Sequence, residues 1–232
     1  MIKDSILLLA DSPILNPKEI VPYYNLSTNY SVYLNTLLFS NWIDLLSESD
    51  NQVELFTLLN ERDKEYLPKY LLPTGANSVF YKEDIDVNLT EIIYNHSSHL
   101  DSKTIIVYFN SIGLKLNEIF RAFSLVTTDE PSLVIGKSDS HKINCVCAKN
   151  IENELFSLLI KSKRCYDKYL GLISYKDYFL HPIRNFLSID EFEDIKKLYI
   201  ELSKKESLSY CSQKMHESFN DLFIEYKELL NV

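Results

Sequence analysis

The residues able to do chemistry in this chain cluster at the ends of apolar runs. Asp11-Ser12-Pro13 follows the first run, Asn110-Ser111 a central one, Asp139-Ser140-His141 a turn between two others, and Ser188-Ile189-Asp190 the start of a late helix. Asp139 could hold a hard divalent ion or a hydroxyl, and Asp190 is a second candidate carboxylate. Each also has a purely structural reading, Asp139 as a turn residue and Asp190 as the opening of a helix. His141, two residues from Asp139, could be a base or a ligand, or an ordinary exposed turn histidine. Asp11, Pro13, Asn110 and Ser111 sit where a polar ligand would be met, and Lys18 is the basic residue nearest to the first of these stretches.

The elements that must position them alternate. Asp4 to Ala10 is expected to be a buried strand, followed by a loop that Pro17 and Pro22 keep out of helix. A long helix runs from Asn29 to about Ser49, then a strand from Gln52 to Asn60 and a weaker one at Ser78 to Tyr81. Asn88 to Leu100 reads as a helix that Asn88 or Thr90 can cap. Thr104 to Asn110 is an unbroken apolar run, Leu114 to Val126 has helical spacing, and Ser132 to Gly136 and Ile143 to Ala148 are two more strands around a short turn. Beyond Asn150 come a helix over Ile151 to Ser162, an extended stretch from Tyr175 to Ile183, a helix from Ser188 to about Lys205, and a last helix from Ser207 to Leu230. Short β-branched runs between helical periods predict a three-layer α/β/α domain with a mainly parallel, mixed sheet. Ligands of such sheets lie beyond the carboxyl ends of the strands, so Asp11, Ser111 and Asp139 are expected to ring one cleft. The predicted division is an α/β domain over 1–206 and a helical extension over 207–232, packed on that domain or forming a homodimer contact.

Composition narrows the function. The 232 residues are 46% hydrophobic, enough for a sizeable core, and 24 basic residues against 33 acidic ones give a net charge of −9. No basic face of the kind that grips nucleic acid is visible, and the doublets Lys163-Arg164 and Lys204-Lys205 read as solvated helix ends. No apolar run is long enough to span a membrane and the N-terminus lacks a secretion signal, so a cytoplasmic protein is expected. The four cysteines read as reduced packing residues, with Cys145 and Cys147 expected to face opposite sides of their strand and so not to share a metal. The only glycines are Gly75, Gly113, Gly136 and Gly171, too few and too scattered for a glycine-rich phosphate loop or dinucleotide fingerprint.

In order and spacing, Ile6 to Leu202 resembles the nucleotide-diphospho-sugar transferase superfamily of GT-A fold, and within it the bacterial radical-SAM/selenodomain-associated glycosyltransferase-like proteins. That family follows its first strand with a proline loop and Gly-x-x-Lys-Thr-Arg-Leu, which meets the nucleotide. Here Pro13 is kept, Asn16 stands for the glycine, Lys18 is the remaining cation and Glu19-Ile20-Val21 replaces the basic run. A Gly-Asp-Leu-Gly-Glu-Arg motif falls near Asp86 to Glu91 without its glycines or arginine. Ser111 stands for the aspartate of Gly-x-Asp-x-Pro, Asp139 keeps the aspartate of Asp-Gly-Gly-Tyr, and Ser188 replaces the first aspartate of Asp-x-Asp-x-x-Glu-Asp-Leu while Asp190 keeps the second. The resemblance implies a nucleotide-sugar ligand at the carboxyl edge, with Asp139 and Asp190 as catalytic carboxylates, Asp139 on any Mg²⁺ or Mn²⁺, and Asp11, Pro13, Lys18, Asn110, Ser111 and His141 on the substrate. Acidic and basic groups have eroded together. The alternative is therefore a catalytically inactive homologue acting as a binding or assembly partner; a nucleotidyltransferase is disfavoured by the missing glycine-rich loop.

Overall fold

The structure is a computed structural model that describes residues 4–47, 49, 53–71, 77–82, 102–126, 130–149 and 153–230. The helix expected over Asn88 to Leu100, and the Asp86 to Glu91 motif, lie outside the described residues.

Strands β1 (Asp4–Leu9), β2 (Val53–Asn60), β3 (Asn77–Tyr81), β4 (Lys103–Tyr108), β6 (Ser132–Lys137), β7 (Ile143–Lys149) and β8 (Phe179–Pro182) form one sheet, ordered β3-β2-β1-β4-β7-β6-β8. Each neighbouring pair is parallel except the two made by β7, which runs against both β4 and β6. Strands β5 (Ser111–Ile112) and β9 (Leu187–Ser188) make a separate two-stranded antiparallel ladder in which Ser111 lies opposite Ser188.

The apolar runs are strands because both faces are covered. Ile6, Leu8, Ile105, Val107 and Val134 point to one side, where they join α1 (Thr28–Ser47), α2 (Leu116–Leu125), α5 (Phe192–Leu202) and α6 (Gln213–Glu225). Their neighbours Leu7, Leu9, Ile106, Tyr108, Leu133 and Ile135 point to the other, against α3 (Asn153–Lys161) and α4 (Tyr166–Ile173). The period of two on each strand feeds both layers. The expected α/β/α layering with a mixed, mainly parallel sheet is the one observed.

Several expectations need correction. Cys145 and Cys147 face the same side, since residues two apart on a strand share a face; both thiols are buried among the same apolar residues and burial pushes Cys145 up to about 12. The late helix begins at Phe192, because Ser188 is spent in β9 and Glu191 and Asp194 form a capping box. The last helix is broken: a 3-10 turn covers Lys205–Ser209, and α6 starts only after Ser212, whose Oγ accepts from the Met215 amide at 3.3 Å. Only Phe179–Pro182 of the predicted extended stretch is strand, and helix α4 had no sequence signal. The stripe Met215, Phe219, Leu222 and Phe223 is buried against the α1 side of the core, while Leu208 is exposed. No described helix is long and apolar enough to cross a membrane.

Gly136 has a packing reason to be glycine. A Cβ there would lie 2.4 Å from the Phe186 ring and 2.7 Å from Cys145 Sγ, so the bare backbone lets Phe186 lie on β6. The Phe186 carbonyl also accepts from Asn144 Nδ2 at 2.9 Å. Together these contacts carry β9, and with it Ser188 and Asp190, up to the rim of the sheet.

Candidate functional site

The carboxyl ends of β1 and β4 open into a cleft of about 630 Å³. One wall is the loop after β1: Asp11 to Ile14 and Glu19 to Tyr24. The other is built from Asn110, Lys142, Lys163, Arg164, Asp190 and Glu191.

The first wall is held by an acid that sequence reading missed. Asp63, fully buried, takes the amides of Ile14 (2.9 Å to Oδ2), Leu15 (2.8 Å to Oδ1) and Asn16 (2.9 Å to Oδ1). Burial raises its carboxyl above the usual range, and the three amides offset that only in part. Tyr81 donates to the Ala10 carbonyl at 2.6 Å, and Asn35 Nδ2 to the Ile14 carbonyl at 3.1 Å. The loop's inward backbone groups are therefore bonded to the protein itself.

The second wall is ionic. Because β7 runs backwards, its amino end reaches the same rim as the carboxyl ends of its neighbours, and it brings Lys142 there. The segment after α3 pairs with it: the Ile143 amide donates to the Arg164 carbonyl at 2.7 Å and the Tyr166 amide to the His141 carbonyl at 2.9 Å. Lys163 and Arg164 both adopt left-handed backbone (φ +51° and +62°), an arrangement uncommon outside glycine that turns the Arg164 side chain inward. Its guanidinium lies 4.0 Å from the centre of the Tyr108 ring and donates to Ile143 O (3.0 Å), Asn110 Oδ1 (3.1 Å), Asn144 Oδ1 (3.3 Å) and Ser188 Oγ (3.2 Å). Asp190 closes the cluster. It sits 3.6 Å from Arg164 and 3.1 Å from Lys142 Nζ, and accepts from Asn110 Nδ2 at 3.0 Å and Ser188 Oγ at 2.7 Å. Burial alone would raise its carboxyl, but Arg164, the Ser188 hydroxyl and Lys142 outweigh it and hold the group below the usual carboxylate range. Lys163 is exposed on the rim and makes no ion pair among the described residues. The two walls meet at Tyr23, whose hydroxyl donates to Asn35 Oδ1 at 2.9 Å and is raised by burial.

No family model matches this sequence, and a search of curated proteins returns no match. Solved structures do match. A Desulfovibrio desulfuricans G20 protein described as a nucleotide-diphospho-sugar transferase superposes with a TM-score of 0.72 at 11% identity, over 100% of this chain and 98% of that one. The fold is that of the nucleotide-diphospho-sugar transferases. A cytidylyltransferase from Leptospira borgpetersenii gives 0.51 at 13% identity, over 99% of this chain and 95% of its own. A protein named mannose-1-phosphate geranyltransferase from Thermus thermophilus gives 0.50 at 11% identity, over 88% and 80%. At such identities the likeness is one of fold.

On this transferase fold the sequence-selected residues do not all converge. Asp11, Pro13, Asn110 and Asp190 line the cleft. Lys18 is exposed, its amide bonded to Asn16 Oδ1 at 3.0 Å, and it does not line the cleft. Ser111 is buried beneath the rim; its carbonyl accepts from the Trp42 indole at 2.8 Å and its hydroxyl has no partner among the described residues. Asp139 lies in a separate depression of about 280 Å³ between the β6–β7 turn and α5, where Asn185 Nδ2 donates to it at 2.9 Å. His141 is exposed, 3.5 Å from Asp167, and lines neither space. The expectation that Asp11, Ser111 and Asp139 ring one cleft is thus corrected: the β6–β7 turn carries Asp139 past the rim, and β5–β9 pairing buries Ser111.

The described residues of the cleft do not fit a divalent metal. Among the described residues no three His, Cys, Asp or Glu side chains gather to hold one, at Asp139 or elsewhere. Around Asp190, two cations face one carboxylate. Like charges about 4 Å apart repel by roughly 4 kcal/mol per unit pair at an effective dielectric near 20, so an incoming dication is opposed rather than drawn in. Ser111 and Ser188, opposite each other in the ladder, supply no charge to reverse this.

Arg164 is the residue that sequence reading misplaced. Its only signal was a basic doublet after an apolar helix, and nothing local separates an inward arginine from a solvated one. Lys163 next to it is exposed, as expected.

Proposed function

We propose that this is a glycosyltransferase-like protein that binds a nucleotide-sugar, or a related phosphorylated ligand, in the cleft between the β1 loop and the Arg164–Asp190 cluster. One observation carries the reading: the fold's carboxyl-edge cleft has a wall of three cations, Lys142, Lys163 and Arg164, of which Lys163 has no internal partner among the described residues. On the opposite wall Asp11, which makes no ion pair among the described residues, and exposed Tyr24 offer an acceptor for a ribose or base and a ring for stacking. The ligand's anionic end then belongs near residues 142 and 163, and its base near residues 11 and 24. A cytoplasmic site of action, where sugar nucleotides are made and used, completes the reading.

If transfer takes place, Asp190 acts by fixing Lys142 and Arg164; a carboxylate held below its ordinary range is a weak proton acceptor. Asp139, the other surviving carboxylate, would act from the adjoining depression on an acceptor that bridges the two spaces. The same saturation of Asp190 favours a second reading, a homologue that binds the ligand without transferring it. Calorimetric titration with UDP-, GDP- and CDP-sugars in Mn²⁺ buffer tests the first part, and release of the nucleoside diphosphate separates the two readings. Heat with one sugar nucleotide is expected. No heat with any of them would end both readings.

A further inference from the structure

We infer that the cleft holds the phosphate groups of its ligand on Lys163 and Lys142, over the fixed charge of Arg164, and does so without a divalent ion. This rests on the nucleotide-ligand reading and deepens it by naming where the charge is met. The amides of Ile14, Leu15 and Asn16, on the loop that the family resemblance assigns to the nucleotide, already donate to Asp63 and are not open to a phosphate. In the β5–β9 ladder the chain has Ser111 opposite Ser188 and places the Arg164 guanidinium against Ser188 Oγ, with no carboxylate in the pair. That guanidinium is fixed in place, being buried and bonded to four oxygens. It supplies a permanent charge, whereas a bound ion would have to be recruited. Lys142 is shared with Asp190, but Lys163 is exposed and unpaired among the described residues, so its ammonium is the group able to meet an incoming anion directly. Asp11, acidic and exposed on the opposite wall, sets the direction: the anionic end is repelled from it and toward Lys163.

The experiment is isothermal titration of the whole protein with CDP, UDP and GDP, each in EDTA and in Mn²⁺, repeated on Lys163→Glu and Lys163→Arg. The nucleotide that binds should do so with a Kd in EDTA within about threefold of its Kd in Mn²⁺. Lys163→Glu should weaken it by about tenfold or more, and Lys163→Arg, which keeps the charge, by less than about threefold. Thermal melting of both variants should match that of the parent, because Lys163 is exposed. Binding that appears only with Mn²⁺ overturns the inference while leaving the nucleotide reading in place, as does a Lys163→Glu protein that binds like the parent. Failure of all three nucleotides in both buffers removes the nucleotide reading and the inference with it.

Discussion

The two walls of the cleft are rigid for opposite reasons. On the β1 side a buried carboxylate, Asp63, gathers backbone donors; on the other a buried guanidinium, Arg164, gathers oxygens. The first arrangement consumes donors that could have met an anion. The second satisfies itself and still leaves Lys163 free on the rim. A ligand's charge can therefore be met on one wall only, although both are equally well ordered by hydrogen bonds. Donors consumed on one wall do not by themselves mean loss of a site.

Breaking the ionic wall should have the largest effect. Arg164→Met leaves Asn110, Asn144 and Ser188 without their shared donor and Asp190 without its buried cation, and removing one partner of such a buried pair typically costs about 3–5 kcal/mol. Urea unfolding reads this directly; a loss under about 1 kcal/mol would mean the cluster is not structural. Breaking the other wall comes next. Asp63→Ala leaves three amides without their acceptor, two of them buried, and should lower stability by about 2–3 kcal/mol, with Asp63→Asn losing less because one oxygen remains. If Asp63→Ala proved the more damaging of the two, the ranking of the walls would be reversed.

Asp190→Asn is expected to be milder, on the order of 1 kcal/mol at neutral pH, and to show its origin in pH dependence. The folded Asp190 carboxyl lies below its unfolded value, so its contribution is present above that unfolded value, near 4, and fades as pH falls through the lowered folded one. The stability gap between parent and Asp190→Asn should be constant from about pH 7 to 5 and close below about 4. A gap that widened in acid would contradict the assignment of Lys142 and Arg164 as its partners. The smallest effect is expected at Lys18: Lys18→Ala should change stability by less than about 0.5 kcal/mol and leave nucleotide binding unaltered, since this side chain does not line the cleft.

The layering was readable from the sequence because period-two and helical apolar patterns are local. Asn110 was also readable, as a polar residue just past an apolar run, and Asp190 as a carboxylate near the start of a late helix. Arg164 and Asp63 were not, because what defines them is contact over distance: Arg164 reaches Asn110, 54 positions away, and Asp63 reaches the Leu15 amide across 48. The misplacement of Ser111 and Asp139 has a similar source. Strand ends predict which rim a residue sits on, but the two-residue ladder β5–β9 and the length of the β6–β7 turn decide which side of that rim it faces.

The most direct measurement of the central claim is a crystal structure of the protein grown in EDTA with the nucleoside diphosphate that binds it. The account predicts phosphate oxygens at hydrogen-bond distance, about 3 Å, from Lys163 Nζ, with the Asp63 contacts to residues 14–16 unbroken. Phosphates seated instead on the amides of residues 14–16, with Asp63 displaced, would contradict it.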